Sequence, residues 1–181
     1  MTSIRTIAIL IGAAVLALSA GYATHWMLAG QSPPVGPVSE ESDVDALFRT
    51  QLPDLNGLQT PVSRWRGKIL VVNFWAPWCA PCREEIPSFM TLQHEFAAKD
   101  VQFVGIAADN AEKVAKFARE YGIDYPVLVG NMGALDLSVK LGNTISALPF
   151  TVVIGRDGKL VHRQLGILKA ATLRELFAKL T

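Results

Sequence analysis

Both cysteines of the chain fall in one short stretch, Trp75-Ala76-Pro77-Trp78-Cys79-Ala80-Pro81-Cys82, three positions apart. Thiols at that spacing offer three kinds of chemistry: a metal clip, a structural staple or a redox reagent. A structural zinc site usually takes four ligands from Cys and His, whereas His25, His94 and His162 are scattered along the chain. A disulfide kept for stability gains most when it closes a long loop, and this pair encloses only Ala80 and Pro81. The redox reading also accounts for the neighbours. If Cys79 opens a helix, the unpaired backbone N–H groups and the helix dipole favour a negative sulfur there. Thiols so placed are lowered from about 8.5 into a range of about 3.5–7.5. Cys79 is then the attacking thiolate, and Cys82, one turn deeper, the resolving thiol. Pro81 suits a first helical turn, where its missing N–H costs little. Trp75 reads as core filling; Trp78 reads as partly core and partly substrate contact. A function of another class uses the same pair: a Cu(I)-binding module that hands metal on through two soft thiolates. It predicts copper bound by the reduced form and no turnover of disulfides, and the Met residues are scattered rather than gathered in a copper loop. A peroxidase would want Thr-x-x-Cys, which is missing.

The elements that must position these thiols follow from hydrophobic pattern. Lys68 to Trp75 is a continuous apolar run suited to a strand buried on both faces. A helix should run from Cys79 to about Ala98. Val101 to Ala107 reads as the next buried strand. Ala111 to Tyr121 has helical periodicity, with Gly122 as terminator. Tyr125 to Val129 is a short strand and Ala134 to Leu141 a helix. Phe150 to Ile154 and Leu160 to Leu165 flank Arg156-Asp157-Gly158, a hairpin signal. Lys169 to Leu180 is a last amphipathic helix. Earlier, Phe48 to Leu52 and Gln59 to Val62 can pair around Asn56-Gly57. The alternation of strand and helix predicts an α/β fold, a central mixed β-sheet flanked by helices. Helix crossovers supply the parallel neighbours and the terminal hairpin the antiparallel ones.

The N-terminal stretch is of another kind. No Lys, Arg, Asp or Glu occurs from Thr6 to Ser39, and a bilayer-spanning helix needs about 20 mostly apolar residues. Residues 1–30 are therefore expected to form a membrane anchor, with Tyr22 and Trp26 as interfacial aromatics. The rival is a cleaved signal peptide, for which Gly21-Tyr22-Ala23 is a poor site; apolar character continuing through Trp26-Met27-Leu28 favours the anchor. Arg5 precedes the span and the next Lys or Arg is Arg49, so the bulk of the chain is expected outside the cytoplasm, where disulfides persist. Residues 31–45 read as a Pro-rich linker and 46–181 as the globular domain. The 181 residues are half apolar and carry a formal net charge of +1. That balance argues against a nucleic-acid partner.

Val71-Val72-Asn73-Phe74-Trp75-Ala76-Pro77-Trp78-Cys79-Ala80-Pro81-Cys82-Arg83-Glu84-Glu85-Ile86-Pro87 resembles the thioredoxin superfamily, and within it the membrane-anchored reductases of the TlpA/ResA type. The resemblance covers about Ala46 to Thr181. It implies a thioredoxin fold, with residues 108–131 as an extra helix-and-strand insertion. It implies a cis peptide at Leu148-Pro149 facing the disulfide, with Leu148 offering its backbone to an extended substrate segment. Pro87 matches the proline that kinks the active-site helix, and Gly166 a glycine close to the site. Thioredoxin's buried acid is replaced by Asn73. The Pro-Cys-x-x-Glu-x-Pro pattern instead places Glu85 one turn after Cys82, where partial burial would raise its pKa toward neutrality.

The resemblance thus implies a thiol-disulfide oxidoreductase with Cys79, Cys82 and Glu85 as catalytic residues and Trp78, Leu148 and Pro149 binding substrate. No cofactor or metal is implied. The expected setting is a bacterial inner membrane, crossed once, with the catalytic domain in the periplasm or cell exterior. The expected partners are disulfide-containing client proteins, in cytochrome c maturation or metal-site assembly, and a membrane electron donor.

Overall fold

A computed structural model describes the chain from Glu40 to Thr181. The expected anchor and the first part of the expected linker lie outside the described residues. At the heart of the fold is strand β3, Ile69–Trp75, in which every residue is buried. Around it a five-stranded sheet has the order β5-β4-β3-β6-β7, with β4 at Val101–Ala107, β5 at Val127–Val129, β6 at Phe150–Ile154 and β7 at Leu160–Leu165. β3, β4 and β5 are parallel, and β6 and β7 run antiparallel to their neighbours. This is the mixed sheet the pattern of runs predicts. β6 and β7 are joined by the expected turn: Gly158 takes φ +79°, and Asp157 accepts a bond from the Lys159 amide.

The parallel crossovers are helices. α2, Ala80–Phe96, joins β3 to β4, and α3, Ala111–Tyr121, joins β4 to β5. Both connections advance along the sheet in the same direction, so right-handed crossover places both helices on one face. α2 buries Cys82, Glu85, Ile86, Phe89, Leu92 and Phe96, a stripe at helical spacing. α3 is capped by the Asn110 side chain and stopped by Gly122 in the left-handed region. α5, Ala170–Leu180, joins α2 on this face: Phe177 meets Phe96 and Phe103 edge-on. α4, Gly133–Lys140, crosses back from β5 to β6 and packs with α1, Glu40–Arg49, on the opposite face.

Three boundaries differ from expectation. The domain begins before Ala46: α1 occupies part of the stretch read as linker, and Val44, Leu47 and Phe48 lie in the core. Those three have helical spacing, but they are too few beside so many prolines and acids to outweigh a loop reading. The first hairpin is shorter than expected, β1 at Gln51–Pro53 against β2 at Gln59–Pro61, because Phe48 is held by α1 and Val62 starts a single 3-10 turn to Trp65. β5 starts at Val127 rather than Tyr125. Among the described residues no helix is long and apolar enough to cross a membrane.

Parallel strands end at one edge of a sheet. The residues after β3, those before β6 and those after β7 therefore meet at the same edge, which holds the cysteines, the Leu148-Pro149 peptide and Gly166 to Leu168.

Candidate active site

Cys79 and Cys82 form a disulfide, S–S 2.04 Å, with Cα atoms 5.3 Å apart. Cys79 is the N-cap of α2, and its sulfur accepts a bond from the Cys82 amide at 3.3 Å. The reacting sulfur thus stands where helix N–H groups converge, an arrangement that stabilises negative charge. Cys79 is 5% exposed and Cys82 0%. That asymmetry suits an outer attacking sulfur and an inner resolving one.

Glu85 lies one turn beyond Cys82 and is only 2% exposed. Both of its oxygens are engaged. Asn73 Nδ2, from β3, donates to Oε1 at 2.8 Å, and the Leu168 amide donates to Oε2 at 3.0 Å. Asn73 Nδ2 also donates to Thr151 Oγ1 at 3.0 Å, and Thr151 is the register partner of Asn73 on β6. Burial pushes the Glu85 pKa up to about 7, while the bonds from Leu168 and Asn73 pull it back. Because desolvation wins, the group exchanges a proton near neutrality instead of standing ionised. Asn73 is itself no acid; it orients the one beside the cysteines.

Beside the cysteines lies a cleft that mixes Trp78, Pro77 and Phe117 with Asp109, Lys113, Lys116 and Glu120. Trp78 is 60% exposed, and this open cleft of about 380 Å³ separates it from Lys113 and Phe117 of α3. The Leu148-Pro149 peptide is cis, as the resemblance implies. The Pro149 carbonyl accepts from the Gly166 amide at 2.9 Å, which ties this loop to the end of β7. Ile145 and Ile167 are exposed on the two segments so joined.

Sequence reasoning missed three contributors. Thr151 was legible as a lone hydroxyl in an apolar strand. Asn143 is buried and holds the loop before Leu148: its Nδ2 donates to Ser138 Oγ and the Ala147 carbonyl, and its Oδ1 accepts from the Ala147 amide. The Leu168 amide left no signal, since a backbone donor carries none.

Comparison with known proteins matches this geometry to a family. The redoxin family profile covers residues 39–180. The chain belongs to the redoxin family. Among its relatives, the thiol-disulfide oxidoreductase ResA of Bacillus cereus is 31% identical over 131 residues, 71% of this chain and 72% of that one. ResA of Bacillus subtilis is 29% identical over 139 residues, 76% and 74% of the two chains. The crystal structure of a thioredoxin-family thiol:disulfide interchange protein from Chlorobium tepidum superposes with a TM-score of 0.65 at 26% identity, over 72% of this chain and 92% of that one. This redoxin has a thioredoxin-like α/β fold and is a thiol-disulfide oxidoreductase whose reactive pair is Cys79 and Cys82.

Proposed function

We propose that this redoxin reduces client disulfides outside the cytoplasm, held to a bacterial inner membrane by residues 1–30 and re-reduced there by a membrane electron donor. The observation that carries the reaction is a buried carboxyl tuned to about 7 one turn from the resolving cysteine of an N-capping disulfide. The charge-free apolar run before Ser39 supports the anchor. The serving of cytochrome c maturation or metal-site assembly is carried over from the TlpA/ResA resemblance.

In the reduced protein the Cys79 thiolate attacks one sulfur of the client disulfide. A mixed disulfide forms and the other client sulfur leaves as a thiolate. The Cys82 thiol then passes its proton to the Glu85 carboxylate, and the resulting thiolate attacks Cys79 Sγ. The Cys79–Cys82 bond forms, the second client sulfur leaves as a thiolate, and the electron pair has moved from protein to client. The leaving thiolates take up protons, one of them supplied by Glu85. Trp78, Leu148 and Pro149 hold the client segment beside the attacking sulfur, Leu148 through its backbone.

The test is capture in cells. In Cys82→Ala the mixed disulfide cannot resolve, so clients accumulate on Cys79 and can be named by mass spectrometry. Equal capture through Cys82 in a Cys79→Ala variant overturns the roles. Alkaline extraction of membranes should leave the full chain in the pellet and a chain beginning at Glu40 in the supernatant; release of both removes the anchor.

A further inference from the structure

Among the described residues four buried side-chain atoms lack a protein hydrogen-bond partner, and three of them, Asn73 Oδ1, Trp75 Nε1 and Tyr125 Oη, belong to residues gathered around Gly105. Asn73 and Trp75 are two apart on β3 and project to the same face. Gly105 is the register partner of Asn73 on β4. A Cβ at Gly105 would come within 2.7 Å of Trp75 Nε1 and 3.3 Å of Tyr125 Cε2, so the indole N–H and the phenol ring both lie over this glycine. The Gly105 amide bonds the Pro126 carbonyl at 2.9 Å, which fixes the Tyr125 segment there. Asn73 directs its Nδ2 to Thr151 on β6. Its Oδ1, on the same amide, is left without a protein partner on the strand position paired with Gly105.

The three groups are complementary to one small ligand. Trp75 can only donate, Asn73 Oδ1 can only accept, and a phenol does either. A buried polar group left without a partner is destabilising, and buried water characteristically joins about three such groups. We infer that Trp75, Asn73 and Tyr125 bind one internal water molecule, and that this water, acting through the Asn73 amide, helps position the Glu85 carboxyl. A water donating to Oδ1 polarises the amide and strengthens the Nδ2–H bond to Glu85. That favours the carboxylate. Tyr125 and Trp75 are thereby positioning residues two bonds removed from the chemistry.

The other groups facing Glu85 do not substitute for this chain. Cys82 on α2 is the proton donor in turnover. Thr151 on β6 and the Leu168 amide before α5 carry no charge. Tyr125 feels the Glu85 charge: its phenol is pushed up by burial first and then by Glu85 and Asp124.

The inference rests on Glu85 as the proton acceptor, and the test separates the two. The pH profile of mixed-disulfide resolution is measured in the full chain, in Tyr125→Phe, in Glu85→Gln and in the double variant. Tyr125→Phe removes only the hydroxyl. It should move the midpoint of the Glu85 limb upward by about half a pH unit, the scale of one weakened hydrogen bond. It should do nothing in the Glu85→Gln background. An unmoved midpoint in Tyr125→Phe, with the limb lost in Glu85→Gln, overturns the water and leaves the proton acceptor standing. Survival of the limb in Glu85→Gln overturns both. Should Tyr125→Phe fail to fold, a high-resolution crystal structure of the unsubstituted protein decides. One ordered water within hydrogen-bond reach of all three atoms supports the site, and its absence there overturns it.

Discussion

Glu85 does two things at once, accepting bonds from Asn73 and Leu168 while resisting ionisation because water is excluded. In the proposed reaction that balance sets the working pH of the resolving step. Glu85→Gln keeps the shape and the acceptor oxygen but cannot carry the proton. The rate of mixed-disulfide resolution should fall on the order of a hundredfold at neutral pH, the usual worth of a positioned acid or base, and the limb near pH 7 should disappear. Stopped-flow kinetics on the isolated mixed disulfide would show it; an unaltered profile would reduce Glu85 to a packing residue. The helical spacing of Glu85 from Cys82 was legible from the chain alone. Its burial was not. The closure over the carboxyl comes from Leu168, 83 residues further on, and no local pattern announces a contact of that range.

At the scale of elements, the strands of the sheet were the easiest to read. β4, β6 and β7 have the boundaries that their runs predict, because continuous apolar or alternating segments leave few other structures. α1 escaped because its three core residues are diluted by acids and lie beside a proline-rich stretch. The loop between α4 and β6 carries Leu148, to which the proposed reaction gives the client backbone. Asn143 staples it with three side-chain bonds, while Ser146 within it takes φ +52°. Asn143→Ala strands the Ala147 amide and carbonyl and should cost about 1–3 kcal/mol. It should slow reaction with a protein disulfide more than with a small-molecule disulfide, since only the former needs Leu148 held in line. Equal slowing of both would show that the staple serves stability alone.

For the molecule as a whole, the buried acid makes stability depend on pH in a defined direction. A carboxyl raised from 4.5 to about 7 on folding binds its proton more tightly folded than unfolded. Its contribution is fully present below 4.5 and is lost as pH rises through about 7. At about 1.4 kcal/mol per unit this amounts to about 3 kcal/mol. Denaturant unfolding of the oxidised protein at pH 5 and pH 8 should therefore show a larger drop than in Glu85→Gln; parallel drops would mean that the carboxyl is solvated. The bond from Leu168 joins this behaviour to a distant part of the chain. Its hydrogen should exchange slowly with deuterated solvent while the carboxylate holds it, and faster once Glu85 is protonated and accepts more weakly. In the proposed cycle a backbone position with no sulfur of its own would thus keep time with every electron pair exchanged at Cys79 and Cys82.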